Sequence, residues 1–239
     1  MHLGLLICGQ VAPAAQEPGG DYAELFATLF ADHDVTWHAV DLTRGELPGP
    51  TDAVDGWITT GSPSSVYDEL GWVPDVLSFI RTLIDEGRPF VGDCFGHQLL
   101  AVALGGRVER AEVGWRVGVQ TYQVTSPLPW MTPPAERFRL IASHQDQVTV
   151  VPEGATVFAE GPLCPVAGLA YGSAMSFQGH PEYTPELSRL LTIDRRERIG
   201  DDETRRGLAS LDLGVTQPLI ADWIVQFVRR TAADRPRGA

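Results

Sequence analysis

Cysteine is scarce in this chain of 239 residues: there are three, Cys8, Cys94 and Cys164. An odd number of widely spaced cysteines in a chain of this size does not make a disulfide framework, so three thiols in a reducing cytoplasm are expected. Positive charge is scarce as well. Lys plus Arg number 18 against 31 Asp plus Glu, a formal net charge of −13. That excludes the basic patch a nucleic-acid surface needs and any attraction to an anionic membrane. The one arginine cluster, Arg195 to Arg206, is interleaved with acids and reads as a solvated helix face with local ion pairs. No apolar run approaches the ~20 residues of a membrane-spanning helix. The first run, Leu3 to Cys8, has no Lys or Arg before it, so it reads as a buried strand rather than an export signal. There is no G-x-x-x-x-G-K-[ST] phosphate loop. No internal repeat, low-complexity segment or linker divides the chain, and one unit over residues 1–239 is expected.

What is there alternates. "HLGLLIC", "VTWHAV", "DGWITT" and "RPFVGD" are short apolar runs with the character of strands covered on both faces. Between them lie helical patterns. "DYAELFATLFA" has Asp21 as N-cap, and "VPDVLSFIRTLIDEG" ends at Gly87 as C-cap. "FGHQLLAVALGG" follows the fourth run as a further helix. This order predicts an α/β fold: a three-layer, mostly parallel, twisted sheet with helices on both faces. The second half changes character. "VGVQTYQV", "RLIAS", "QVTVV", "TVFAE" and "VAGLAYG" are short strands separated by Pro, Gly and Asp, expected as a small antiparallel addition. "AMSFQG" reads as a strand returning to the main sheet. Two closing helices are expected, in "PELSRLLTIDRRERI" and "PLIADWIVQFVRR".

Chemistry concentrates around Cys94. Gly92-Asp93-Cys94-Phe95-Gly96 fits the small-x-nucleophile-x-small pattern of a strand turning sharply into a helix. The glycines let strand and helix backbones approach closely. The sulfur then sits over a helix N-terminus, which favours thiolate. The Phe95 N–H is left to face an oxyanion. A nucleophile needs a base and an orienting group, and "SFQGHPEY" supplies His180 and Glu182, two apart on an extended segment. "TTGSPSSVYD" follows a buried strand, and its Gly61 N–H is a second candidate oxyanion donor. A metal held by Cys94-x-x-His97 would need more soft ligands, and Cys8 and Cys164 lack paired spacing, so no metal is expected. The His-x-Glu of zinc deaminases comes with Pro-Cys-x-x-Cys, which is absent.

Jointly, these elements resemble the class I, triad-type glutamine amidotransferases, over roughly Leu5 to Tyr183. "GDCFGHQ" fits the family's G-x-C-x-G-x-Q, and "GHPEY" fits its His-Pro-Glu. "TGSPSSVYD" is similar to its oxyanion loop, with Ser62 where many members have a second glycine or a proline. "ASHQDQV" resembles the Ser-His-x-Asp segment that lines the glutamine pocket of the synthase-type members. The resemblance implies a flavodoxin-like fold with Cys94 as nucleophile, His180 as base and Glu182 as its carboxylate. It implies Gly61 and Phe95 as oxyanion donors, and Gln98 with the backbone of Ser143, His144 and Gln145 as contacts for the glutamyl head. It implies a small-molecule γ-glutamyl substrate and no cofactor. The stand-alone synthase-like members, including γ-glutamyl peptidases, are the most similar. A glutaminase subunit serving a separate synthetase chain is the alternative. A catalytically silent regulatory or stress protein on the same fold is a third, and such proteins lack the downstream His-Pro-Glu. Trp115, Arg116 and Tyr122 either line the acceptor side of the pocket or pack as an ordinary hairpin.

Overall fold

The structure is a computed structural model that describes residues 1–17 and 19–234; the last five positions of the expected unit lie outside the described residues. β1 (His2–Ile7) leads through a single turn, α1 (Pro13–Gln16), into α2 (Tyr22–Leu29), then β2 (Thr36–Asp41) and β3 (Gly56–Thr59). α3 (Val73–Asp85), β4 (Phe90–Asp93) and α4 (Phe95–Ala103) follow. Next come β5 (Arg107–Arg110), β6 (Arg116–Val124), β7 (Arg137–His144), β8 (Asp146–Val150), β9 (Thr156–Gly161), β10 (Cys164–Tyr171) and β11 (Ala174–Phe177). α5 (Pro185–Asp194), α6 (Arg196–Ile199), α7 (Asp201–Ser210) and α8 (Gln217–Asp234) end the described chain.

Nine strands form one twisted sheet in the order β2-β1-β3-β4-β11-β10-β9-β6-β7. From β2 to β11 every neighbour is parallel; from β11 to β7 every neighbour is antiparallel. The antiparallel part is thus more extensive than the small addition expected. It continues the main sheet past β11, and only β5 and β8 pair separately. Helices cover both faces, as expected. In β1, Leu3 and Leu5 face the layer of α2, α5 and α8. Leu6 faces the opposite layer, where Val76, Ile80 and Leu83 of α3 meet Leu99 and Leu100 of α4. A strand with apolar cover on each side has no polar face to alternate, which is why the first-half runs are continuous.

The local signals behave as their chemistry dictates. Asp21 caps α2 in a full capping box with Glu24. Gly87, at φ 65°, takes the left-handed position just past α3. The closing helices depart from expectation. The segment 185–199 breaks at Arg195, splitting α5 from α6, and Gly200 starts α7. The Arg195–Arg206 stretch is not uniformly solvated. Arg196–Asp201 and Arg205–Asp202 are exposed pairs, but Glu203 is buried and bonded to both Arg116 and Arg206. No helix among the described residues is long and apolar enough to cross a membrane.

Candidate active site

β4 is central in the sheet, between β3 and β11, so its C-terminal end lies at the middle of the strand-end crevice where ligands of open α/β sheets bind. Cys94 follows it at once, with φ 45° and ψ −91°, the only positive φ of a non-glycine among the described residues. A Cβ in that region is strained by about 1–3 kcal/mol, held in place by its surroundings. Those surroundings are visible. The Cys94 N–H donates to the Phe177 carbonyl at 2.9 Å. A Cβ on Gly92 would lie 2.5 Å from the Gly96 carbonyl oxygen, and one on Gly96 would run into Thr59 Oγ1. The two glycines are therefore what lets α4 start directly above β3 and β4.

The segment after β11 brings the imidazole. The His180 N–H donates to the Ile141 carbonyl at 2.7 Å, which ties the loop to β7. His180 Nδ1 is 2.9 Å from Glu182 Oε1 and 3.6 Å from Asp93 Oδ2. Nδ1 is thus the N–H donor to Glu182, leaving Nε2 for the cleft. The Tyr183 ring stacks on the imidazole at 3.9 Å, and its hydroxyl meets that of Tyr22 at 3.1 Å. His180, Glu182 and Asp93 are each 2% exposed. Burial alone would lower the His180 pKa. The nearby negative charge, that of Cys94 and then Glu182 foremost, outweighs it and holds the imidazole well above its ordinary value. Asp93, His180 and Glu182 place one donor atom each within 4.8 Å of one another. Their imidazole nitrogen is already bonded to Glu182, so the cluster is suited to holding protons rather than a metal ion.

The expected residues sit as follows. Cys94 opens on a cleft with Phe95, Gln98, Ser143, His144 and Gln145. The sulfur accepts a 3.7 Å hydrogen bond from Gln178 Nε2 rather than from His180. Gly61 packs against His180; a Cβ there would lie 2.6 Å from the imidazole Cε1. Gln98 Nε2 donates to the Asp146 carbonyl at 3.1 Å, so one of its N–H groups is committed to the start of β8. The His144 side chain is buried and bonded to the same carbonyl, and desolvation lowers its pKa to about 3. It is a neutral structural imidazole. His97 behaves the same way: it bonds Ser176, and burial lowers its pKa to about 3.

Asp146 completes the Ser-His-x-Asp segment noted in the sequence, whereas the two arginines of the cleft were not singled out as site residues. Asp146 accepts from the hydroxyls of Ser65 and Tyr67. Arg195 donates to Ser143 Oγ at 3.1 Å, and Arg198 lies 5.5 Å over the Trp115 ring. Neither arginine has a carboxylate within ion-pair distance among the described residues. Of the residues left open in the sequence, Trp115 lines the cleft, Arg116 pairs with Glu203, and Tyr122 is buried in the core. The other two cysteines are inert by burial: Cys8 has its thiol pKa pushed far up, and Cys164 is pushed up to about 12.

Residues 24–195 match the family model described as glutamine amidotransferase class-I. Gamma-glutamyl peptidase 5 of Arabidopsis thaliana is 30% identical over 182 residues, 70% of this chain and 70% of that protein. The glutamine-hydrolyzing GMP synthase of Clostridium novyi is 31% identical over 166 residues, 69% of this chain and 31% of that protein. A solved glutamine amidotransferase from Thermotoga maritima superposes with a TM-score of 0.75 at 18% identity, covering 97% of this chain and 98% of that one. That likeness establishes the flavodoxin-like fold.

Proposed function

Because the chain belongs to the class I glutamine amidotransferase family, we propose that it is a free-standing hydrolase of γ-glutamyl amide bonds, in glutamine or a γ-glutamyl compound, acting through a Cys94 thioester. One observation carries the reading: a cysteine held at φ 45° on a helix N-terminus follows β4, and an imidazole whose Nδ1 is bonded to a buried carboxylate, and which feels the charge of Cys94, follows β11, the strand paired with β4. That is the division of labour of a nucleophile, a base and its orienting group.

In this reading the Cys94 thiolate adds to the γ-carbonyl carbon. The N–H groups of Phe95 and Gly61 receive the oxyanion. His180, held through Nδ1 by Glu182, passes its Nε2 proton to the departing amine as the C–N bond breaks, leaving a γ-glutamyl thioester. Water then gives a proton to His180 and attacks the thioester carbonyl; the acid leaves and the thiolate is restored. Amide plus water becomes acid plus amine, and no cofactor enters the balance. The cleft matches the zwitterionic end of a glutamyl group. The Asp146 carboxylate suits the α-amino group. The unpaired Arg195 and Arg198 suit the α-carboxylate, beside the Ser143–Gln145 backbone. Three free cysteines, all buried, fit a reducing cytoplasm.

The likeness to GMP synthase favours a second reading, a glutaminase subunit that passes ammonia to a separate synthetase chain. One panel separates the two. Purified protein is offered glutamine, γ-glutamyl dipeptides and a γ-glutamyl tripeptide, with and without cell extract, and released glutamate and ammonia are measured. Turnover by the isolated chain, lost in Cys94→Ala, is expected. Ammonia release only on adding extract would move the assignment to the subunit reading. No turnover of any γ-glutamyl compound under either condition would refute both.

A further inference from the structure

Asp93 has no role in the reaction as written, yet it is placed against its base. Strand alternation turns Gly92 toward α4 and Asp93 toward the other face of the sheet, onto His180 and Glu182. The carboxyl group is 2% exposed, and neither of its oxygens has a hydrogen-bond donor; Glu182 Oε2 has none either. Buried polar atoms without partners are rare, and here the orphans cluster. Asp93 Oδ2 lies 3.6 Å from His180 Nδ1, and the donor atoms of Asp93, His180 and Glu182 all lie within 4.8 Å.

Two carboxylates this close in a dry site do not both ionise. Glu182 holds the imidazole at 2.9 Å and is the one stabilised as the anion. The groups that face Asp93 are His180 and Glu182 from the loop after β11, Cys94 next to it in sequence, and Cys8 after β1; Tyr22 of α2 and Tyr183 close the cluster beyond them. His180 is the single cation among them. Burial and the Glu182 charge together push the Asp93 pKa well up, against the pull of that one imidazolium.

We propose that Asp93 is a positioning residue of the Cys94 site: as a neutral carboxylic acid it donates a hydrogen bond to Glu182 Oε2 and so fixes the carboxylate that orients His180. The inference rests on the hydrolase reading for its consequence, though not for its geometry. One O–H satisfies Glu182 Oε2 and one of the two orphaned Asp93 oxygens. An apolar residue between Gly92 and Cys94 would leave Glu182 Oε2 bare and free to turn. The shared proton also sets an upper pH for the site. Once Asp93 ionises, a second negative charge beside His180 locks the imidazole as imidazolium. The base that must activate water against the thioester is then lost, while the Cys94 thiolate–imidazolium pair becomes more persistent.

Two variants of the full chain test this. Asp93→Asn keeps the shape and an N–H donor for Glu182 but cannot ionise; Asp93→Leu removes both. Infrared difference spectra of wild type minus Asp93→Asn at neutral pH should contain a carboxylic-acid C=O stretch that shifts in D2O. A carboxylate band in its place overturns the proposal. The rate of Cys94 alkylation by iodoacetamide, read by peptide mass spectrometry across pH, reports the thiolate–imidazolium pair. Asp93→Asn should stay within about threefold of wild type at neutral pH and lose the alkaline limb of the profile, while Asp93→Leu should fall by about tenfold. Equal rates and equal pH profiles in all three proteins would make Asp93 a space-filler and overturn the assignment. If Asp93→Leu does not fold, the infrared band and the Asp93→Asn profile still decide. Neither readout needs a substrate, so missing γ-glutamyl turnover would remove the hydrolase reading alone.

Discussion

Gly96→Ala sets two opposed effects against each other at the elbow. Gly96 lies in the first turn of α4, where Ala in place of Gly should gain about 1 kcal/mol from backbone entropy. The added methyl, however, has no room. The first atom it meets is Thr59 Oγ1, followed by Thr59 Cβ at 2.7 Å. Thr59 is 0% exposed and its hydroxyl is held from two sides, donating to the Val91 carbonyl at 3.4 Å and accepting from the Asp93 N–H at 3.4 Å. Overpacking of a tight core costs about 1–3 kcal/mol. Displacing the hydroxyl puts two long hydrogen bonds at risk, together about 1 kcal/mol. The clash should win, with a net loss of about 2 kcal/mol and a fall in Tm of about 4–8 °C for a chain of this size.

The activity loss should be larger than the stability loss suggests. If α4 backs away from β3 to make room, the Phe95 N–H and the Cys94 sulfur move with it, and a displacement near 1 Å costs about a hundredfold in rate. Urea unfolding and calorimetry measure the stability, and γ-glutamyl turnover the rate. The sharper test is the pair. In a Thr59→Gly background the obstructing atoms are gone, so Gly96→Ala should turn from destabilising to stabilising by about 1 kcal/mol. Two results would refute the reasoning: a Gly96→Ala variant at least as stable as wild type, or the same loss in both backgrounds. Gly49→Ala, where a Cβ meets nothing within 4 Å, is the control and should be neutral.

Cys94→Gly should be more stable than Cys94→Ala by about 1 kcal/mol, a reversal of the usual order, because glycine relieves the φ of 45°; both should be inactive, and equal urea midpoints would count against strain at the elbow. Acid should unfold the chain partly through His97 and His144, whose folded pKa values near 3 lie below the ~6.5 of an unfolded imidazole. The unfolded chain therefore binds protons first, and stability present above pH ~6.5 is lost as pH falls toward 3, on the order of 5 kcal/mol per histidine. His97→Leu should flatten the slope of stability against pH in that window whatever it does to absolute stability, and an unchanged slope would deny the burial argument. Arg198→Ala should raise KM for a γ-glutamyl substrate about tenfold with kcat nearly unchanged. A fall in kcat alone would place that arginine in the chemistry rather than in substrate binding.

The parallel half of the fold was legible because its residues carry their reasons locally. Leu3 to Cys8 and Phe90 to Gly92 are apolar on both faces, Asp21 caps its own helix, and Gly87 ends one. The elbow was legible in part for the same reason, since Gly92 answers to Gly96 four residues on, although Gly96 itself answers to Thr59 on β3, far away in sequence. What stayed hidden depends on distant partners. α7 buries Glu203, Thr204 and Gly207 instead of an apolar stripe. No 3.6-residue hydrophobic period marks it, and its charges read as a solvated face until Arg116 is seen beneath Glu203. Tyr22 and Tyr183 meet across 161 positions of sequence. Asp93 occupies the variable place between a glycine and a cysteine, where a motif assigns nothing. Only the fold reveals that its carboxyl lies against His180 and Glu182. Arg195 states the principle most plainly. Periodicity continued the helix through it; the chain instead breaks there, and the break turns the guanidinium to Ser143 at the cleft. At Asp93 and Arg195 the side chain involved faces the site or a residue of it, which is where a fold is expected to override its own local rules.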